Sequence, residues 1–178
     1  MKRMARTLLI AAALAVTGLG ASAQGAEPVS ALKGHNVDAP VDVSAERIEV
    51  QDRADRAIFA GSVHVRQGNL TLDAPRVTVA YSSAGAIQIN RIDASGGVVV
   101  KSPSETASGN FGIYDTGRKL ITLIGDVRLT RGGSQINGSR LVIDLDSGRA
   151  VIDGGPPGVG QDGGRVTGHF TVPQRNSK

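Results

Sequence analysis

The 178-residue chain has no cysteine and no tryptophan, and only two tyrosines and three phenylalanines. Without cysteine there is no disulfide and no thiolate metal ligand, so stability must come from core burial and hydrogen bonding. With aromatics at 3% the stacking platform of a single-strand nucleic-acid binder is missing. The formal charge of +4 is small, and Lys2, Arg3 and Arg6 account for three of it. The other lysines and arginines are scattered rather than gathered on a basic face, which argues against nucleic acid as a partner. Nor is there a membrane-length apolar run. The stretch from Thr7 to Gly20 holds 14 residues, short of the roughly 20 that span a bilayer. Preceded by basic residues and followed by Ala21-Ser22-Ala23, it reads as a secretory signal peptide over 1–23, cleaved after Ala23, with no cysteine beyond it to carry a lipid.

What the chain does have is glycine, 24 residues of it, and aliphatic side chains at every second position. Beyond the signal no segment sustains a helical period. Leu70 and Leu72, then Val77, Val79 and Tyr81, then Ile87 and Ile89, then Leu141, Ile143 and Leu145 all alternate with polar residues. The pattern predicts an all-β domain with turns at "YSSAG", "DTGRK" and "DSGRA". Two phrases recur. One is "SAERIEV", "DAPRVTV", "ASGNFGIY" and "NGSRLVI"; the other, beginning "AIFAGSVHVRQG", is anchored on Gly61, Gly96 and Gly125, which lie 35 and 29 residues apart. A unit of about two strands cannot cover its own apolar face, so successive units must continue one sheet. Gly61 either shares the inward parity of Phe59, Val63 and Val65 or marks a bulge, and the pattern leaves both open.

Chemistry is sparse. His35, His64 and His169 show no ligand spacing, and neither a phosphate-binding loop nor a nucleophile elbow is present. Acid pairs occur at Glu46/Glu49, Asp52/Asp55 and Asp144/Asp146. On a strand, Asp144 and Asp146 would share the face opposite Leu141, Ile143 and Leu145, as solvated residues rather than an acid–base pair. No catalytic group, cofactor or metal site is expected. Val, Ile and Leu in these numbers fill either a dry core or a long greasy groove.

The run Val41, Val43, Ala45-Glu46, then Phe59-Ala60-Gly61-Ser62-Val63-His64-Val65-Arg66-Gln67-Gly68, then Ala74-Pro75-Arg76-Val77-Thr78-Val79 resembles the opening of the OstA-like family. "LIGDVRLTRGGSQINGSRLVIDLDSGRA" and "RVTGHFTVP" are similar to its later strands, so the resemblance covers roughly residues 38–173. It departs in the short polar stretch 101–110 and the Gly-rich loop 153–164. The resemblance implies an open antiparallel β-jellyroll, V-shaped and twisted, in the periplasm, that binds lipopolysaccharide through its lipid A acyl chains and passes it between membranes. It also implies an inner-membrane jellyroll partner, the N-terminal domain of an outer-membrane translocon, and head-to-tail self-association. Carried over by position, Val41, Val43, Phe59, Val63 and Val65 would face the lipid. By alternation Leu70, Leu72, Ile113, Leu123, Val127, Leu129 and Ile143 would join them. Edges bearing Val43 and Ile48 at the start, and Val166 and Phe170 at the end, would dock partners.

The expected organisation is signal 1–23, a flexible segment 24–39, one domain over 40–173 and a frayed tail 174–178. The competing classes are a carbohydrate-active β-solenoid enzyme and a structural adhesin or scaffold. The first would need regular coils of about 20 to 25 residues and an inward acid cluster; the spacings of 29 and 35 are uneven.

Overall fold

The computed structural model describes residues 35–83, 85–155 and 164–171. The expected signal and tail, and most of the Gly-rich loop, lie outside these. The described residues form one antiparallel sheet of ten strands: β1 (Val41–Ser44), β2 (Arg47–Gln51), β3 (Arg56–Gln67), β4 (Leu70–Ser82), β5 (Gln88–Lys101), β6 (Glu105–Asp115), β7 (Leu120–Arg131), β8 (Ser134–Asp144), β9 (Ala150–Asp153) and β10 (Thr167–His169). Six long strands, β3 to β8, form a meander joined by short turns. At one edge β1 and β2 both pair with β3; at the other, β9 and β10 both pair with β8.

The recurring phrases are the two halves of one device. β3, β5 and β7 each carry two extra residues at the same level of the sheet: Gly61-Ser62, Gly96-Gly97 and Gly125-Asp126. All six have positive φ, from 43° to 95°. At Gly125 (φ 80°) a Cβ would lie 2.8 Å from the Asn110 amide nitrogen, so both backbone and space select glycine. The facing strands insert one residue each, Pro75, Asn110 and Ser139. The bulges line up across the meander and fold the sheet along one line. This resolves the Gly61 alternative in favour of the bulge.

Two extra residues preserve side-chain parity, whereas one reverses it. Hence β4, β6 and β8 change phase at the bend, with Leu70, Leu72 and Ala74 inward before it and Val77 and Val79 inward after it. The phase change also corrects one expectation. Ile113 continues the alternation of the first half of β6, but the slip at Asn110 turns it outward, into a cross-strand row with Asp93 and Thr122.

Inward side chains form rows that cross the sheet. Phe59, Val77, Ala94, Gly112, Leu123 and Leu141 make one row above the bend; Val43, Val65, Leu72, Val100, Ala107 and Leu129 make one below it. The two halves close on each other. A Cβ on Gly112, above the bend, would lie 3.0 Å from Val98 Cγ1, below it. The Tyr114 hydroxyl of the upper half reaches Gln67 of the lower half, at 3.2 Å.

Candidate functional site

The interior is dry where the halves meet. Val63, Val77, Val98, Leu123, Val127, Leu141 and Ile143 are each at most 1% exposed. Between Val65, Leu70 and Leu72 on one side and Ile92 and Tyr114 on the other, the free space is about 20 Å³, room for about one water molecule. Burial of this kind contributes about 1.5–3 kcal/mol per large aliphatic side chain.

Two hollows flank this core. The C-terminal hollow holds about 580 Å³ and is walled by Leu129, Ile136, Ala150, Ile152, Val166 and Phe170, with Glu105 and Arg131 among the few polar residues. Phe170, at its lip, is 65% exposed. The other hollow, about 750 Å³, has a mixed lining, polar and apolar in nearly equal shares, and lies under the N-terminal strap, residues 35–40, with Ile87–Asn90, Asp115–Gly117 and Lys119 around it.

A polar cluster stands between that hollow and the dry core. Gln67, on the inward face and 5% exposed, donates through Nε2 to the Val37 carbonyl (2.7 Å) and the Ala39 carbonyl (3.0 Å). Its Oε1 accepts from the Tyr114 hydroxyl and lies 3.1 Å from His35 Nε2. Burial, and then the charge of Asp38 in the strap, push the Tyr114 hydroxyl up to about 12, so it remains a donor. Sequence reading missed Gln67. The signal was present, since Gln67 continues the inward parity of Val63 and Val65 with a polar side chain.

The outer face is polar and tied by exposed ion pairs, each worth about 0–1 kcal/mol. His64 Nδ1 and Lys101 Nζ lie 2.6 and 3.1 Å from the two oxygens of Asp73; the His64 hydrogen bond is the largest influence on that carboxyl, burial opposes it, and with Lys101 the balance holds it below its usual range. Asp144 ends β8 and caps the following turn, accepting from the backbone N–H of Asp146 and Ser147 at 3.0 Å. Asp146 pairs with Lys119, so the two acids are turn devices and do not act together. Among the described residues no group of three or more acids, histidines or cysteines could hold a metal ion.

The site residues expected from sequence therefore separate. Val63, Val65, Leu70, Leu123, Val127 and Ile143 are buried core; Val41, Val43, Phe59, Leu72 and Leu129 are partly buried and pack against it. Ile113 is on the other face. Of the edge residues, Ile48 on β2 is 55% exposed; Val43 points inward opposite Val65. Val166 and Phe170 flank the short β10 and line the C-terminal hollow.

Residues 42–149 match the model of the family described as "LptA/(LptD N-terminal domain) LPS transport protein". The chain belongs to this LptA/LptD N-terminal domain family of lipopolysaccharide transport proteins. A family of transport components, rather than a known class of enzymes, fits a sheet whose interior is aliphatic. An uncharacterized protein of Rhizobium meliloti (strain 1021) is 35% identical over 158 residues, 81% of this chain and 85% of that protein. The fold is also similar to the crystal structure of LptH from Pseudomonas aeruginosa, titled the LptA-homologous periplasmic component of the lipopolysaccharide transport device, with a TM-score of 0.68 and 18% identity over 78% of this chain and 99% of that one. The open antiparallel jellyroll of the LptA family is thus the fold of this chain.

Proposed function

We propose that the chain is a periplasmic bridge that carries lipopolysaccharide between inner- and outer-membrane machinery, holding the lipid A acyl chains between the two halves of the bent sheet and performing no chemical step. The observation that carries this reading is the pair of aliphatic rows running across the meander, one on each side of the aligned bulges and ending near the apolar C-terminal hollow. The halves are closed, and the void of about 20 Å³ beneath Gln67 and Tyr114 admits no acyl chain. Loading therefore requires the halves to part along the bulge line. The cost of exposing the rows is offset by the acyl chain, which gains about 0.8 kcal/mol per buried methylene. Val41, Val43, Phe59, Val63, Val65, Leu70, Leu72, Leu123, Val127, Leu129 and Ile143 would then change neighbours, from each other to lipid.

Docking would use the sheet edges. Among the described residues β2 pairs only with β3 and β10 only with β8, so each edge has backbone groups to offer another strand. The inner-membrane jellyroll partner, the translocon N-terminal domain and a second copy of this chain would pair there, near Ile48 at one edge and Val166 and Phe170 at the other. The membership in a lipopolysaccharide transport family and the periplasmic LptH likeness support this reading.

The test uses two phenylalanines on opposite faces. Phe59 points inward toward Val77; Phe111 points outward and is 56% exposed. With a photo-crosslinking amino acid at either position in the mature chain and purified lipopolysaccharide added, adducts are expected at position 59 and not at 111. Equal labelling, or labelling at 111 alone, overturns the interior site.

A further inference from the structure

The strap over the mixed hollow is built as a latch. Asn36 turns the chain back on itself, its side-chain oxygen accepting from the Asp38 N–H at 3.1 Å and its carbonyl from the Ala39 N–H at 3.2 Å. The turn brings the Val37 and Ala39 carbonyls together, and one buried amide, Gln67, binds both. Val37 packs on the core from the same side. Gln67 and Val41 line both the outer hollow and the small void beneath it, so these two side chains form the boundary between them among the described residues. The strap residues Val37–Pro40 wall the outer hollow.

We propose that residues 35–40, latched by Gln67 and Tyr114, are a gate that keeps acyl chains from passing between the strap hollow and the interior until the strap lifts. The proposal rests on the lipid-carrying reading above and adds regulation at one end of the same site. The chemistry suits a gate better than a fixed wall. Hydrogen bonds to one amide are directional and reversible, and each contributes modestly to net stability. Released, the two strap carbonyls and the Gln67 amide face a hollow already lined in part by polar residues, so water can satisfy all of them. An acyl chain entering here meets the strap and the Gln67 side chain it holds in place until the strap lifts.

The test measures arrival of lipid at each end of the full mature chain. A photo-crosslinking amino acid at Ile89 reports on the strap hollow, and one at Ile136 on the C-terminal hollow; the probe is purified lipopolysaccharide loaded on the chain and freed of unbound lipid, so that an adduct at position 89 reports lipid that has crossed from the interior. Gln67→Ala and, as the milder change, Tyr114→Phe are each combined with both positions. Loss of one latch bond should speed adduct formation at position 89 about threefold to tenfold and leave position 136 unchanged. Since the chain has no native cysteine, Asp38→Cys with Gly117→Cys, bridged by a short bismaleimide, fixes the strap across the hollow it shares with the β6–β7 turn. That species should lose labelling at position 89 and keep it at 136. If Tyr114→Phe and the bridged species both label position 89 at the native rate, the gate is wrong while lipid carriage stands. If the native chain binds no lipopolysaccharide at equilibrium, the carrying reading fails, and the gate with it.

Discussion

The two hollows differ in their lining, one largely apolar and one mixed. The C-terminal one is aliphatic with an exposed aromatic, Phe170, at its lip. The strap hollow mixes polar and aliphatic residues and is separated from the core by a buried amide that binds backbone carbonyls. An acyl chain entering the first gains burial against an aliphatic wall; to pass from the second into the interior it must first break three or four hydrogen bonds. The difference teaches that a chain with one kind of interior can still have two kinds of doorway, one always greasy and one conditional.

The comparison can be broken from the middle outward. Leu123 is fully buried at the meeting of the halves, and Leu123→Ala should cost about 2–5 kcal/mol in chemical denaturation. Ile136→Ala, at the C-terminal hollow where the wall is open, should cost less than half as much. Equal losses would mean that the hollow is not a real discontinuity in packing. Next comes the bend. Gly125→Val forces a β-branched residue to φ 80° against Asn110, and a drop of about 1–3 kcal/mol is expected, whereas the same change at Gly132, where nothing lies within 4 Å, should cost only the conformational part.

How much of this was legible beforehand divides along physical lines. Alternation at period 2 identifies strands because burial on one face demands it, and the spaced glycines mark the bend because only glycine takes those φ values without penalty. Ile113 was misplaced for a related reason: alternation is read within a strand, while one extra residue at Asn110 reverses the phase. The repeated "DAPRVTV", "ASGNFGIY" and "NGSRLVI" carried that information in Pro75, Asn110 and Ser139, but a single inserted residue leaves no composition signal. The latch was half visible, as a glutamine in an inward series. Its partners, the Val37 and Ala39 carbonyls and Tyr114, are 28 to 47 residues away, and no local pattern reports such contacts.

A smaller effect distinguishes the hollows by substitution at their lips. Phe170→Asp should slow lipopolysaccharide loading about tenfold, the equivalent of losing one buried aromatic contact, and leave the unfolding midpoint almost unchanged because the residue is exposed. Ile87→Asp, 74% exposed beside the strap hollow, should change loading less than twofold by the same scale. Stopped-flow fluorescence with labelled lipopolysaccharide reads both, and the reverse order would invert the assignment of doorways.

The smallest effect is on pH. The Tyr114 hydroxyl has its pKa raised from 10.0 to about 12 by burial and then Asp38, so the folded state keeps a proton that the unfolded state releases. Stability from this group is whole below about pH 10 and declines as pH rises toward about 12. Thermal unfolding should show Tyr114→Phe less sensitive than the native chain across that interval. An identical slope in both would mean that the Tyr114 hydroxyl is not buried beside Asp38 as described.

The central claim is that a closed, dry sandwich opens along its bulge line to take lipid. Spin labels on Thr78→Cys and Thr106→Cys, outward positions above and below the bend in a chain free of other cysteines, measure the separation of the halves by electron–electron resonance. Addition of lipopolysaccharide should shift the distance distribution to longer values, in proportion to lipid bound. A distribution that stays fixed while lipid is bound would contradict the account.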